Sequence, residues 1–117
     1  SAVRFDAILA ANDVMALAIL EVLDAAGRAS VVTGINAVPD AIAAIKQGRL
    51  LATADFDAMK MGCVAMEAAI RHVRGERVPA EIILPVQVVD STNCAQWDKP
   101  FEERACPRWE DVAARSK

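Results

Sequence analysis

Polar side chains follow three apolar runs of the sequence, at the point where each run ends. In order along the chain they are Asn12 with Asp13, then Asn36, and then the triplet Asp55, Phe56 and Asp57. Asn and Asp side chains carry paired polar groups that match the vicinal hydroxyls of a sugar or polyol. The ring of Phe56 can lie against the apolar face of a sugar. These residue types predict a binding site for a small, hydroxyl-rich molecule.

The polar residues at the ends of the runs also have a purely structural interpretation. Asn and Asp after a strand are common helix caps and turn residues, and Asp57 in particular is a candidate cap for the helix that follows it. Both interpretations stay open for each residue. No Lys or Arg stands at the three run ends, so the sequence favours a neutral ligand over a phosphate or a carboxylate.

The residues that catalysis or metal binding would need are missing from the sequence. His72 is the only histidine, and no nucleophile elbow is present, so a hydrolase triad has no parts. Cys63, Cys94 and Cys106 lack the close spacing of zinc ligands. No glycine-rich dinucleotide motif follows a strand. We therefore expect no enzyme activity, no metal and no cofactor.

The charge and hydropathy patterns exclude two further classes of partner. Sixteen acidic and thirteen basic residues give a net charge of −3, and the basic residues are spread singly, which argues against nucleic-acid binding. The longest apolar stretch, residues 14–23, is interrupted by Glu21 and is shorter than the roughly 18 residues of a membrane span.

The elements that would position the polar residues alternate between strand and helix. Apolar runs at residues 7–11, 31–35 and 50–54 are each followed by a helical pattern that ends at a glycine. This order predicts an α/β fold with a parallel, Rossmann-like sheet and helices on both faces. A fourth strand, residues 82–89, contains Pro85 and is expected at an edge or a bulge. Ligands of such sheets bind at the carboxyl ends of the strands, so the polar residues should share one edge.

The three cysteines predict one disulfide. Cys94 and Cys106 lie in a polar tail that contains proline, and we expect them to form a disulfide; two free thiols are the alternative. Cys63 lies in an apolar helical pattern and is expected to be a small buried residue. The aromatic residues Trp97, Phe101 and Trp109 are expected to pack the tail onto the body of the chain.

Several sequence motifs between residues 6 and 89 resemble those of a known family. They are ANDVMAL at residues 11–17, VTGINA at 32–37, PDA at 39–41, AIKQGRL at 44–50 and AT at 52–53. Their order and spacing resemble the periplasmic sugar-binding proteins of ABC transporters, the type I binding proteins that include ribose- and galactose-binding proteins. The resemblance implies a two-lobed, periplasmic receptor that closes on a sugar and delivers it to a membrane permease.

The resemblance also implies roles for individual residues. Asn12 matches the family's sugar-contacting Asn. Asn36 stands where the family usually has Asp, and Phe56 stands where it commonly has Gln or Asn. Whether Asp55, Phe56 or Asp57 faces the ligand stays open.

The same resemblance implies a domain division and a missing part. Residues 1–56 would belong to the second lobe, residues 57–85 to the first lobe, and residues 86–117 to a returning hinge strand and the tail. Such a fragment would leave apolar surfaces uncovered, so we expect it to associate with itself or with the missing part.

Two other functions share this fold or its mechanism. One is the effector-binding domain of a LacI-type transcriptional regulator, which would also bind a sugar. The other is a receptor that presents its loaded form to a membrane sensor. The sequence upstream would distinguish transport from regulation, because a signal peptide indicates the first and a helix-turn-helix the second.

Overall fold

A computed structural model of the chain describes residues 4–114. Its strands are β1 (Ala7–Leu9), β2 (Val31–Ile35), β3 (Ala52–Asp55) and β4 (Gln87–Asp90). Its helices are α1 (Asp13–Ala25), α2 (Pro39–Lys46), α3 (Ala58–Val73) and α4 (Trp109–Ala113). Two short 3-10 helices, Cys94–Trp97 and Phe101–Glu103, lie in the tail. The predicted α/β class and the alternation of strands and helices are confirmed.

Local sequence signals set the ends of the helices. Asn12 caps α1, and Pro39 is the first residue of α2, where its missing N–H costs no hydrogen bond. Gly27, Gly48 and Gly75 follow α1, α2 and α3 with φ of 60°, 71° and 78°, a region that glycine adopts without strain. The helices therefore end just before the glycines that the sequence predicts as their ends.

The sheet has the order β1-β2-β3-β4, with β1, β2 and β3 parallel. The expectation of a parallel sheet is wrong for β4, which pairs antiparallel with β3. A parallel neighbour would need a crossover back to the starting edge of β3. Instead the chain returns at the carboxyl end of β3, where Gln87 pairs with Asp55.

The fourth strand is shorter than the sequence predicts. It begins at Gln87 rather than at residue 82, and residues 81–86 have no regular structure. Pro85 lacks the N–H that a ladder needs, and these residues find no partner strand among those the structure describes. The predicted edge position of this strand is confirmed.

The core lies on one face of the sheet, under α1 and α2. Val32, Thr53 and Val89 point from neighbouring strands to this face and are buried. The residues that α1 and α2 add to this cluster are Ala16, Leu20, Leu23, Ala41, Ile42, Ala44 and Ile45. Both helices share a single core, so within residues 4–114 they form one helix layer.

The opposite face of the sheet is uncovered in the described part of the chain. Strand side chains alternate between faces, and those that point away from α1 include Leu9, which is 82% exposed. Val31, Ile35 and Val88 are also exposed on this face. We call it the bare sheet face. The second helix layer predicted from the sequence is not formed by residues 4–114.

Helix α3 lies apart from the sheet. Only Val64 of its sixteen residues is buried. The radius of gyration is 17.9 Å, whereas a compact chain of this length would have about 13 Å. The extents of 61 × 30 × 20 Å show the same elongation. The chain therefore has a sheet body, residues 4–56 and 87–90, and a separate α3 region, residues 57–86.

The tail packs against both of these parts. Trp97 packs on the core of the sheet body, as predicted, and Lys46 of α2 pairs with Asp98. Trp109 lies on the side of α3, with its ring 5.1 Å from the guanidinium of Arg71. Phe101 contacts Arg104 within the tail at 4.3 Å. The tail thus holds the two regions together.

The predicted disulfide between Cys94 and Cys106 is wrong. Cys106 is bonded to Cys63, with 5.8 Å between their Cα atoms, within the usual range for a disulfide. Cys94 is a buried free thiol in the core of the sheet body. The error arose because Cys94 faces inward beneath α2, whereas Cys63 lies on the side of α3 that meets the tail.

Candidate functional site

The carboxyl ends of β1, β2 and β3 form one edge of the sheet, because these strands are parallel neighbours. Asn12 lies three residues after β1, and Asn36 and Phe56 directly follow β2 and β3. The structure therefore places the sequence-predicted residues at the same edge. In open α/β sheets this edge is the usual place for a ligand.

Asn12 uses only part of its side chain for structure. It caps α1 by accepting a hydrogen bond from the Met15 N–H at Oδ1, at 2.9 Å. Its Nδ2 group makes no hydrogen bond to residues 4–114, and the residue is half-buried. The cap thus fixes the orientation of the amide and leaves its NH₂ group for another acceptor.

Asn36 stands at a bend with an unusual backbone. Its φ is 122° and that of Ala37 is 51°, values that non-glycine residues seldom adopt. The Asn36 N–H donates to the Ala54 carbonyl at 2.9 Å, which ties this bend to β3. Within the described residues the side-chain amide has no partner. Residues held in such backbone conformations cluster at ligand-binding and active sites.

Asp13 holds the three strand ends together, a role that the sequence analysis missed. It is fully buried and accepts hydrogen bonds from the Thr53 hydroxyl at 2.6 Å and the Val38 N–H at 2.9 Å. Gly34 makes room for it, because a Cβ at Gly34 would lie 2.2 Å from Asp13 Oδ1. Asp13 therefore positions Asn12 and Asn36 without an exposed surface of its own.

The triplet after β3 divides into two structural carboxylates and one ring. Asp55 is buried and accepts from Trp97 Nε1 at 2.6 Å and from the Asp57 N–H at 2.7 Å. Asp57 caps α3 through the Lys60 N–H at 2.9 Å, and its second oxygen lies 3.2 Å from Lys60 Nζ. The half-buried Phe56 has no such commitments. Of the three, Phe56 is the most available to a ligand.

A polar cavity of about 220 Å³ lies beside the triplet. The chain after β3, the chain before β4 and the tail all contribute to its wall; the lining residues include Asp55, Asp57, Pro85, Gln87, Trp97 and Arg104. The cavity thus occupies the place where the chain leaves the sheet body and returns to it.

Arg104 brings a cation to this edge that the sequence order did not predict. It is 8% exposed and donates from Nη2 to the Ala37 carbonyl at 2.9 Å. Its Nε and Nη1 atoms have no partner among the described residues. The absence of Lys and Arg from the run ends was therefore an incomplete guide, because the tail supplies a basic residue from far along the chain.

Three further structural findings concern residues outside this edge of the sheet. His72 is exposed on α3. Residues 4–114 contain no cluster of acidic, histidine and cysteine side chains that could hold a metal ion. None of the described helices is both long and apolar enough to cross a membrane.

Comparison with known proteins gives one family. Residues 1–77 match the model of the periplasmic binding protein domain. The putative rhizopine-binding protein of Rhizobium meliloti is 37% identical over 81% of this chain and 32% of its own length. The ribose import binding protein of Salmonella typhimurium is 37% identical over 71% of this chain and 28% of its own.

Solved structures show the same likeness. A solute-binding protein from Bacillus halodurans with bound myo-inositol superposes with a TM-score of 0.77 and 33% identity, over 82% of this chain and 34% of that one. A periplasmic solute-binding protein from Actinobacillus succinogenes with bound D-allose gives 0.74 and 30%, over 78% of this chain and 32% of that one. The chain thus spans about a third of the length of its relatives.

Proposed function

The chain belongs to the family of periplasmic binding protein domains, and on that premise we propose that it is part of the solute-binding component of an ABC importer. The whole protein would bind a neutral sugar or polyol between two lobes and catalyse no reaction. This chain would supply one wall of the cleft.

The observation that carries the proposal is the shared edge of β1, β2 and β3. The free amide groups of Asn12 and Asn36 and the ring of Phe56 follow the ends of these strands. Amides bind hydroxyls, and a ring packs on the apolar face of a sugar. Three of the ligands named for the relatives, ribose, D-allose and myo-inositol, are neutral and rich in hydroxyls, which supports a ligand of the same class.

The division of the chain between lobes is part of the proposal. Residues 1–56 would belong to the second lobe, residues 57–85 to the first, and residues 86–117 to the returning hinge strand and the tail. The separation of α3 from the sheet body supports this division. The rest of the protein would cover both the bare sheet face and the exposed side of α3.

The cellular setting is a further part of the proposal. The protein would work in the periplasm and deliver its ligand to a membrane permease. The ribose-binding relative is an import protein by name, and the solved structures with bound myo-inositol and D-allose are named as ABC transporter proteins, which favours transport over a LacI-type regulator.

Calorimetric titration of the full-length protein with D-ribose, D-allose, myo-inositol and glycerol tests the proposal. We expect saturable binding of at least one of them. In an Asn12→Asp variant the cap on α1 is kept, because Asp accepts from the Met15 N–H as well as Asn does. The variant loses the Nδ2 donors, so affinity should fall about tenfold, the equivalent of one hydrogen bond.

Asn36→Gly is the second variant, because glycine keeps the positive φ of this bend and removes only the amide. Its affinity should fall by a similar factor. Unchanged melting temperatures of the ligand-free variants would show that each fold is intact. Full-length protein that binds none of the four compounds, or variants that bind as well as the natural sequence, would contradict the proposal.

A further inference from the structure

The tail, residues 94–113, is fastened to the sheet body at several points. Trp97 Nε1 donates to Asp55 Oδ2 at 2.6 Å, and Arg104 Nη2 donates to the Ala37 carbonyl at 2.9 Å. Lys46 pairs with Asp98, and Cys94 is buried in the core. Arg104 itself is buried, with 8% of its surface exposed. This end of the tail therefore moves with the sheet body.

The other end of the tail is fastened to α3. The Cys63–Cys106 disulfide is covalent, and the Trp109 ring lies 5.1 Å from the Arg71 guanidinium of the same helix. Val112 of α4 is buried. This end therefore moves with α3.

Very little chain separates the two attachments. Arg104 is held on the sheet body and Cys106 on α3, with Ala105 alone between them. Two residues of extended chain span at most about 7 Å. While both attachments hold, the points on the sheet body and on α3 that the tail joins can separate only within the reach of this link and of the Arg104 side chain.

The tail also lies against the places where the chain passes between the two regions. The polar cavity is walled by Asp55 and Asp57 at the first passage, by Gln87 at the second, and by Trp97 and Arg104 of the tail. A rotation of α3 relative to the sheet body must therefore displace the tail or break one of its attachments.

We propose that the tail is a strap that joins the two lobes and limits how far they open, with the Cys63–Cys106 disulfide as its covalent fastening. This inference rests on the proposed function, because it places α3 in the first lobe. A restricted open state lies closer to the closed, ligand-bound state, so less free energy is spent on closure and the ligand binds more tightly. Reduction of the disulfide releases the strap and weakens binding.

The test uses the full-length protein with an oxidised disulfide and a Cys106→Ser variant. Peptide mapping should first find Cys63 linked to Cys106. Small-angle scattering without ligand should give a larger radius of gyration for the variant. Calorimetry with the tightest binder among D-ribose, D-allose, myo-inositol and glycerol should give a dissociation constant about fivefold higher, at the lower end of typical coupling between sites.

Two controls keep the test decisive. A reducing agent should raise the radius of gyration and the dissociation constant of the natural protein, as the substitution does. It should change neither quantity further in Cys106→Ser. Cys94→Ser makes the same chemical change at a thiol that forms no link, so it should respond to the reducing agent like the natural protein.

An equal radius of gyration and equal affinity with and without the disulfide would overturn the strap, as would peptide mapping of a bond to Cys94. Failure of the natural protein to bind any of the four compounds would instead overturn the proposed function. The two failures can be told apart, because the scattering measurement tests the strap without a ligand.

Discussion

The sheet body and the α3 region are both rich in apolar residues, yet of the two only the sheet body contains the core cluster. Ile42 of α2 is 1% exposed, whereas Ile70 of α3 is 40% exposed. Further large apolar residues of α3 are open to solvent, among them Met61, Met66 and Val73. Large contiguous apolar patches are rare on the surfaces of monomeric proteins. The difference fits the proposed place of the α3 region in the first lobe, where further residues would cover it.

The two regions also differ in how their contacts are distributed along the sequence. In the sheet body, partners such as Asp13 and Thr53 lie within the same run of strand-helix units. The α3 region is held mainly by its own helix and by the tail, through Cys63 and Cys106. Stability should therefore be concentrated in the sheet body.

The largest expected effect comes from the same substitution made in both regions. In the 117-residue chain, Ile42→Ala should lower the free energy of unfolding by about 4 kcal/mol, the cost of a cavity in a packed core. Ile70→Ala should cost much less, about 1 kcal/mol, because the side chain is already 40% exposed. Urea unfolding followed by circular dichroism measures both.

The full-length protein sharpens this comparison. There the remaining residues of the first lobe would cover Ile70. Ile70→Ala should then lower the free energy of unfolding nearly as much as Ile42→Ala does. Equal costs in the 117-residue chain would show that α3 has a core of its own. A cost that stays small in the full-length protein would place α3 outside the first lobe.

An intermediate effect is expected on the bare sheet face. In isolation this face should drive self-association of the chain, because it exposes contiguous apolar residues next to an edge strand. The double substitution Leu9→Lys and Val88→Lys should raise the dissociation constant of the assembly at least about tenfold. Sedimentation velocity measures the change.

Val73→Lys on α3 is the matched control, since Val73 is exposed but lies outside the sheet. It should change the association much less. If the natural chain sediments as a monomer at high concentration, or if Val73→Lys has the larger effect, the bare sheet face is not the surface that associates.

The smallest expected effect is at Asp90, at the end of β4. Hydrogen bonds from the Thr92 hydroxyl, and then from the Thr92 N–H, hold the pKa of Asp90 below its usual value. A carboxyl group whose pKa is lower in the folded state stabilises the fold at pH values above its unfolded pKa of about 3.9. That stabilisation is lost as the pH falls through the folded pKa. Thr92→Val removes the first hydrogen bond, so the pKa of Asp90 should rise.

Carboxyl resonances followed by NMR between pH 2 and 6, about two units either side of the usual value, report this pKa directly. The stability difference between the natural chain and Thr92→Val should shrink as the pH falls through that range. Ser91→Ala is the control, because no hydrogen bond between Ser91 and Asp90 is present. A pKa unmoved by Thr92→Val would remove the hydroxyl as its cause.

Much of the candidate site could be predicted because it depends on local order. Apolar runs, glycine stops and Pro39 fix where strands and helices end, and parallel strands put Asn12, Asn36 and Phe56 at one edge. Whether Asp55 was a ligand contact or a structural residue could not be decided, because its partner Trp97 lies 42 residues away.

The predicted disulfide was wrong for the same reason, because the two cysteines that pair are distant along the sequence. Sequence proximity joined Cys94 to Cys106 through their common tail, but burial of Cys94 under α2 and the path of the tail along α3 joined Cys63 to Cys106. Pairing of thiols requires that two Cα atoms lie within about 7 Å, a condition that only packing decides. The reversed direction of β4 likewise depends on how the chain returns from α3.

The sequence by itself determined the order of elements, the caps and the residues at the strand ends, because each follows from backbone chemistry within a few neighbouring residues. The tertiary structure alone decided the role of Asp13, the arrival of Arg104 at the edge, and the fastening of the tail to α3. Each of these unites residues that are distant along the chain, and only the packing of helices, sheet and tail brings such residues together.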